Sequence, residues 1–170
     1  MSILNHKISV GIDGKQLFSF KSLKLHQSIN NHHRFELLLD LEAGGNRYAH
    51  NLKDSAKWIG KSFAVYAGEK SETTFMGVVT GVSLHRKNSD FGHILVSGYS
   101  ETYRLETDLN FNSWTGCTLA DIIKEMTSKA GVSARINPEY TEKLDYVCQY
   151  NESDFTFIKR LALQYNEWLY

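Results

Sequence analysis

The chain has 170 residues, 42% of them hydrophobic and 22% charged, and its 19 basic side chains balance 19 acidic ones. Those proportions exclude a disordered chain, and zero net charge removes the basic field that general nucleic-acid binding needs. No apolar run approaches the roughly 18 residues that cross a bilayer, and Met1-Ser2-Ile3-Leu4-Asn5-His6-Lys7 lacks the charged and long apolar regions of a signal peptide, so the expected compartment is the cytoplasm.

The first hundred residues read as strands. Ile8–Ile12 and Lys15–Phe20 flank Asp13-Gly14, a pair that tolerates the positive φ angles of a two-residue hairpin turn. Phe35–Leu41 is apolar enough for a central strand, and Ala43-Gly44-Gly45-Asn46 breaks it. A short helix over Leu52–Ile59 has Asn51 as cap and Gly60 as stop. Strands resume at Ser62–Ala67, turn at Gly68-Glu69-Lys70-Ser71, and continue from Thr73 to His85. There Met76, Val78, Val82 and Leu84 are expected on one face at period two, with Gly77 and Gly81 opposite, marking a bend or a close backbone approach. Lys87-Asn88-Ser89-Asp90 turns into a last strand, Gly92–Tyr99.

The rhythm changes near Ser100. Thr118-Leu119-Ala120-Asp121 has the form of a boxed helix start, Leu119, Ile122, Ile123 and Met126 follow helical spacing, and Gly131 supplies the stop. Tyr146–Tyr150 alternates as a strand. A second helix starts at Ser153, buries Phe157, Ile158, Leu161 and Tyr165, and ends at Asn166; Glu152 and Asp154 would complement its dipole. Glu167-Trp168-Leu169-Tyr170 resembles a strand just beginning, from which the chain is expected to be the front piece of a longer protein. Residues 1–100 carry 12 basic and 8 acidic groups, residues 101–170 carry 7 and 11, and all seven histidines lie in the first part. The expected fold class is α+β: a small antiparallel β-barrel domain over 1–100, then an incomplete α/β domain with two helices over 101–170, truncated at the C-terminus.

Catalytic and metal motifs are not apparent. Gly11-Ile12-Asp13-Gly14-Lys15 has two residues where a P-loop needs four between its glycines, and Gln16 follows the lysine. His26, His32 and His33 offer no metal spacing; neighbouring strand residues face opposite ways, and surface or loop histidines are the plain reading. Cys117 and Cys148 lack CxxC spacing, and a disulfide between them is disfavoured in a reducing compartment. No catalytic residue, cofactor or metal is expected, and the chain is not expected to be an enzyme.

The string from Tyr146 to Tyr170, with Gln149, Glu152, Ser153, Asp154, Phe155, Phe157, Arg160 and Leu161 followed by Trp168 and Tyr170, resembles the signature of the VgrG spike proteins of type VI secretion and of phage baseplate hub (late control protein D) proteins. Phe75-Met76-Gly77-Val78-Val79-Thr80 is similar to the family's earlier barrel strand, Phe-x-Gly-x-Val-Thr, in which Phe75, Gly77, Val79 and Thr80 match. The resemblance implies a structural hub: a homotrimer whose barrels mimic a six-fold ring, joining an Hcp-like tube to a puncturing needle. By the same resemblance it would be assembled in the cytoplasm, exported by the machine without a signal peptide, and able to carry effectors. The motif residues would define the fold rather than react. The Asn46–Trp58 loop and helix is the expected interface. The alternative is a stand-alone cytosolic β-rich ligand-binding module, which would need an exposed aromatic cluster.

Overall fold

A computed structural model of the chain describes residues 8–17, 19–40, 51–68, 72–85 and 92–170. The expected breaks and turns at 43–46, 69–71 and 87–90, and residues 46–50 of the expected interface, lie outside these. The chain divides into two compact units, one of residues 1–26 and 33–100, the other of residues 27–32 and 101–170.

The first unit is a sheet. Strand β1 (Ile8–Ile12) turns through Asp13 and Gly14, both at positive φ (52° and 73°), into β2 (Lys15–Leu17), the two-residue hairpin that Asp-Gly encodes. β3 (Ser22–His26) pairs with β4 (Arg34–Asp40). A short helix α1 (Leu52–Ser55), capped by the Asn51 side chain on Asp54 N–H, runs through a 3₁₀ turn (Ala56–Trp58) to Gly60 at positive φ. β5 (Ser62–Ala67), the long β6 (Glu72–His85) and β7 (His93–Ser100) follow. Among the described residues the antiparallel order is β2-β1-β5-β6-β7-β4-β3.

This sheet is curled. Laid flat, β5 and β4 would stand about 14 Å apart, three strand spacings, yet the rings of Phe63 and Phe35 stack at 3.7 Å. The edge strands β2 and β3 would lie about 29 Å apart when flat, but the connection from Leu17 to Ser22 reaches at most about 18 Å. Curling buries one face of every long strand: Val10 and Ile12, Phe35, Leu37 and Leu39, Phe63 and Val65, Phe75 and Val79, Ile94 and Val96. Two glycines permit it. A methyl group on Gly98 would meet Val78 O at 2.0 Å and the Phe35 ring at 2.6 Å, and one on Gly77 would meet Tyr99 O at 2.4 Å. No hydrogen-bonded pairing joins β2 to β3 among the described residues, so the expected closed barrel is not found; what stands is a mixed α+β chain built largely on antiparallel sheet.

The face expected for β6 requires correction. Phe75 and Val79 point into the core, while Met76 is exposed. The register against β7 shifts between Val79 and Gly81, a bulge at Thr80 that reverses the alternation. Val82 therefore packs on the core, although Val78, four residues earlier, is on the other face. Strand β3 was not anticipated at all.

The second unit begins with a 3₁₀ segment (Glu101–Glu106) and β8 (Asn110–Trp114), which pairs antiparallel with β9 (Val147–Glu152). Helix α2 (Leu119–Lys129) has the expected capping box: Thr118 Oγ1 accepts from Asp121 N–H at 3.2 Å, and Asp121 Oδ2 accepts from Thr118 N–H at 3.1 Å. Helix α3 (Asp154–Gln164) starts at Ser153, whose Oγ accepts from Thr156 N–H. Leu119, Ile122, Met126, Val147, Phe155, Phe157, Ile158 and Leu161 form the core between helices and strands. Glu167–Tyr170 is irregular rather than a strand, and both cysteines are free.

Candidate functional site

The β9–α3 turn gathers the motif residues Gln149 to Leu161. β9 alternates, so Val147 and Gln149 point inward while Cys148 and Tyr150 point out. An inward amide on a strand next to a helix start must find partners, because an unpaired buried polar group costs about 1–3 kcal/mol. Gln149, fully buried, finds three. Its Oε1 accepts from Asn112 Nδ2 at 2.8 Å, and its Nε2 donates to Glu152 O at 3.1 Å and to Asp154 Oδ1 at 2.9 Å. Asp154 Oδ1 accepts a second bond, from Asn110 Nδ2 at 2.9 Å. One side chain thus ties β8, β9 and the first residue of α3 together.

Between strand and helix the chain reverses through Asn151, at φ 50°, a conformation that asparagine tolerates better than most residues. Arg160, two turns into α3, reaches back over this reversal. Its Nη2 donates to Glu152 Oε1 at 2.6 Å and to Cys148 O at 2.8 Å, and its Nε to Glu152 Oε2 at 3.3 Å. The bond to Glu152 holds the guanidinium proton more tightly still, so this fork stays charged. The guanidinium also sits 5.1 Å from the centre of the Phe157 ring, whose other neighbour, Trp114, stacks at 5.2 Å. Trp114 Nε1 donates to Glu125 on α2. That bond and the one from Lys129, the larger influence, lower the Glu125 carboxyl below its usual range.

Glu152 and Asp154 therefore do different work from the dipole role expected of them: one is claimed by Arg160, the other by two side-chain amides. Phe155, Phe157 and Leu161 are buried in the second unit's core, and Ser153 is buried as the cap. Phe75, Gly77, Val79 and Thr80 lie in the first unit, where the first three face its core and Thr80 is the bulge. Every polar motif group in the turn is engaged as donor or acceptor in a fixed scaffold, an arrangement that holds shape. Among the described residues no three metal-ligating side chains converge.

Two features were not read from the sequence. Asn112, on the unanticipated β8, is the partner that completes Gln149; only its alternation with Phe111 and Ser113 could have hinted at a strand. The other is a bare face: Phe111 and Tyr150 meet edge to face at 5.1 Å on the outer side of the two-stranded sheet, with Tyr146 and Leu109 also exposed. The neighbouring Cys148 side chain raises the Tyr146 phenol above its ordinary value.

A family model described as phage tail baseplate hub (GPD) matches residues 28–168. Among solved structures, the chain is similar to the 43 kDa tail protein of prophage MuSo2 from Shewanella oneidensis, with a TM-score of 0.72 at 18% identity over 95% of this chain and 49% of that one. It is similar to a tail protein from Neisseria meningitidis MC58, with a TM-score of 0.67 at 13% identity over 93% and 45%. It is also similar to the E. coli c3393 protein, described as a component of the type VI secretion system, with a TM-score of 0.58 at 16% identity over 94% and 40%. The chain spans about half the length or less of these structures, and their low identities establish a shared fold alone. No curated protein matches it.

Proposed function

We propose a mechanical role for this chain, which belongs to the phage tail baseplate hub family: it bears load in a contractile, phage-tail-like machine of the tail or type VI secretion kind. The observation that carries this reading is the family match over residues 28–168, most of the chain. In this reading residues 1–100 are the tube-like barrel domain and residues 101–170 belong to the α/β domain that follows it in sequence. Three copies form a ring that joins an Hcp-like tube to the needle. Assembly takes place in the cytoplasm and the machine itself exports the product. No helix among the described residues is long and apolar enough to cross a membrane.

Two physical features support a holding role. The curled sheet of the first unit buries a continuous aromatic and aliphatic core, and close-packed interiors resist deformation. The Gln149 and Arg160 networks commit every polar motif group to structural bonds, leaving none poised for bond chemistry. Deleting the coding sequence of this chain is the direct test. Electron micrographs of the producing cells should then lack assembled tails or sheaths; normal, contractile particles would overturn the proposal.

The exposed Phe111–Tyr150 cluster favours a second reading, a ligand-binding module that stacks a sugar or peptide on that face. Intact particles after deletion, together with glycan or peptide binding abolished by Tyr150→Ala, would select it instead.

A further inference from the structure

Residues 27–32 lie in sequence between β3 and β4, yet they pack in the second unit. Asn30, at φ 58°, donates its N–H to Leu169 O at 2.6 Å and accepts from Leu169 N–H through Oδ1 at 3.2 Å. Asn31 Oδ1 accepts from Lys159 Nζ at 3.4 Å. His32 closes the segment. Its ring stacks on Phe155 of α3 at 3.7 Å, meets Tyr103 edge-on at 5.8 Å, and keeps 14% of its side chain exposed.

Both ring nitrogens have partners: Nδ1 lies 2.9 Å from Thr102 Oγ1 and Nε2 lies 3.2 Å from Glu106 Oε1. An ionised carboxylate only accepts, so Nε2 carries a hydrogen whichever state the ring is in. Nδ1 is then the atom that titrates. Without a proton it accepts from the Thr102 hydroxyl; with one it donates to the same oxygen, because a hydroxyl rotates to serve either role. Protonation therefore keeps the His32–Thr102 pair. It places a cation beside Glu106 and against the face of Phe155. Other charges on the packed elements have their own partners. Glu101 and Arg104 lie 3.9 Å apart in the 3₁₀ segment, Lys159 holds Asn31, and Asp154 is taken by Gln149 and Asn110.

We propose that His32 makes the seating of the 27–32 segment pH-sensitive, held more firmly in mildly acidic than in mildly alkaline solution. Burial opposes charging a ring that is 14% exposed, and in this proposal the Glu106 carboxylate at 3.2 Å outweighs it, so that the folded state binds the proton more tightly. The added stability is then complete below the unfolded histidine value of about 6.5 and fades as pH rises through the folded one. His32 is the sole histidine of the second unit; His26 and His33 flank the segment in the first unit, so substitutions at Glu106 and His32 are what single out this ring.

The test is amide hydrogen exchange on the 170-residue chain at about pH 5.5 and about pH 8, corrected for intrinsic rates. In the unaltered protein, protection of residues 27–32 and of the first turn of α3 should fall about tenfold across that interval, equivalent to one unit of linkage. Glu106→Gln keeps an acceptor but removes the charge, and should flatten this fall while leaving the protection of β9 intact. His32→Gln should flatten it as well. Should that variant fail to fold, Glu106→Gln with the His32 ring resonance followed by NMR still decides. A titration midpoint lower in Glu106→Gln than in the unaltered chain supports the proposal. Equal midpoints, or equal pH dependence of exchange in both proteins, overturn it.

Discussion

Replacing Gln149 with glutamate changes one atom of the buried network and sets a carboxyl where Nε2 lies 2.9 Å from Asp154 Oδ1. Two ionised carboxylates at that spacing would repel by about 6 kcal/mol at an effective dielectric of about 20. Taking up a proton is cheaper. Keeping a carboxyl of unfolded value about 4.3 protonated at about pH 7 costs about 3.7 kcal/mol, at 1.36 kcal/mol per unit. The protonated carboxyl again donates to Asp154 but cannot also serve Glu152 O, which adds about 1 kcal/mol. Gln149→Glu should therefore cost about 4–5 kcal/mol near neutrality and about 1 kcal/mol near pH 4. The sign follows from a folded value raised above the unfolded one: the penalty is absent below the unfolded value and grows as pH rises toward the folded one. Urea unfolding at several pH values, followed by the far-ultraviolet helix signal, measures it. The two 11-residue helices, which carry most of that signal, both belong to the second unit. Gln149→Leu is the control, with a loss of about 1–3 kcal/mol that does not vary with pH. A Gln149→Glu penalty that is equally flat would refute the buried network as drawn.

Further outcomes test other parts of the scaffold. Gly98→Ala should destabilise the first unit by about 3 kcal/mol or more, because the clash is with the Val78 carbonyl as well as a ring; a thermal midpoint within a degree or so of the parent would show that the curl does not need this glycine. Leu161→Ala, at a side chain 1% exposed, should cost about 2–5 kcal/mol, read from the same helix signal; no change would remove Leu161 from the core. Asp121 is held below the usual carboxyl range, first by the Thr118 hydroxyl and then by its backbone N–H. Exchange protection at the start of α2 should therefore persist above about pH 4 and be lost as pH falls through the depressed value. An Asp121→Asn variant that kept the same acid transition would contradict the assignment.

Features written in neighbouring residues could be read directly from the sequence. Asp13-Gly14 specifies its turn by φ alone, Thr118 and Asp121 box α2 within a single turn, and Ser153 caps α3 three residues before its partner. What needed distant partners could not. Ser22–His26 alternates, but its Leu23 and Leu25 gain meaning only opposite Leu37 and Phe35. The face of β6 inverts at Thr80 because of pairing with β7, so period-two counting failed halfway along one strand. At the site, the motif was legible as a string, yet the partners of Glu152 and Asp154 were not. Arg160 reaches Glu152, whereas Asp154 answers to Asn110 and Gln149. His32 was the clearest miss. A histidine in a connecting loop carries no local sign that Phe155, more than a hundred residues away, will cover its ring.

The Asn30–Leu169 pairing joins residues 139 apart in sequence. During synthesis, Gln27–His32 leaves the ribosome long before Phe155, and it must wait without its seat while the intervening chain is made. Closing so long a loop is entropically slow and late. The final locking of the second unit therefore waits until Leu169 has emerged, and until it occurs the nascent chain presents an uncovered aromatic surface that chaperones can recognise.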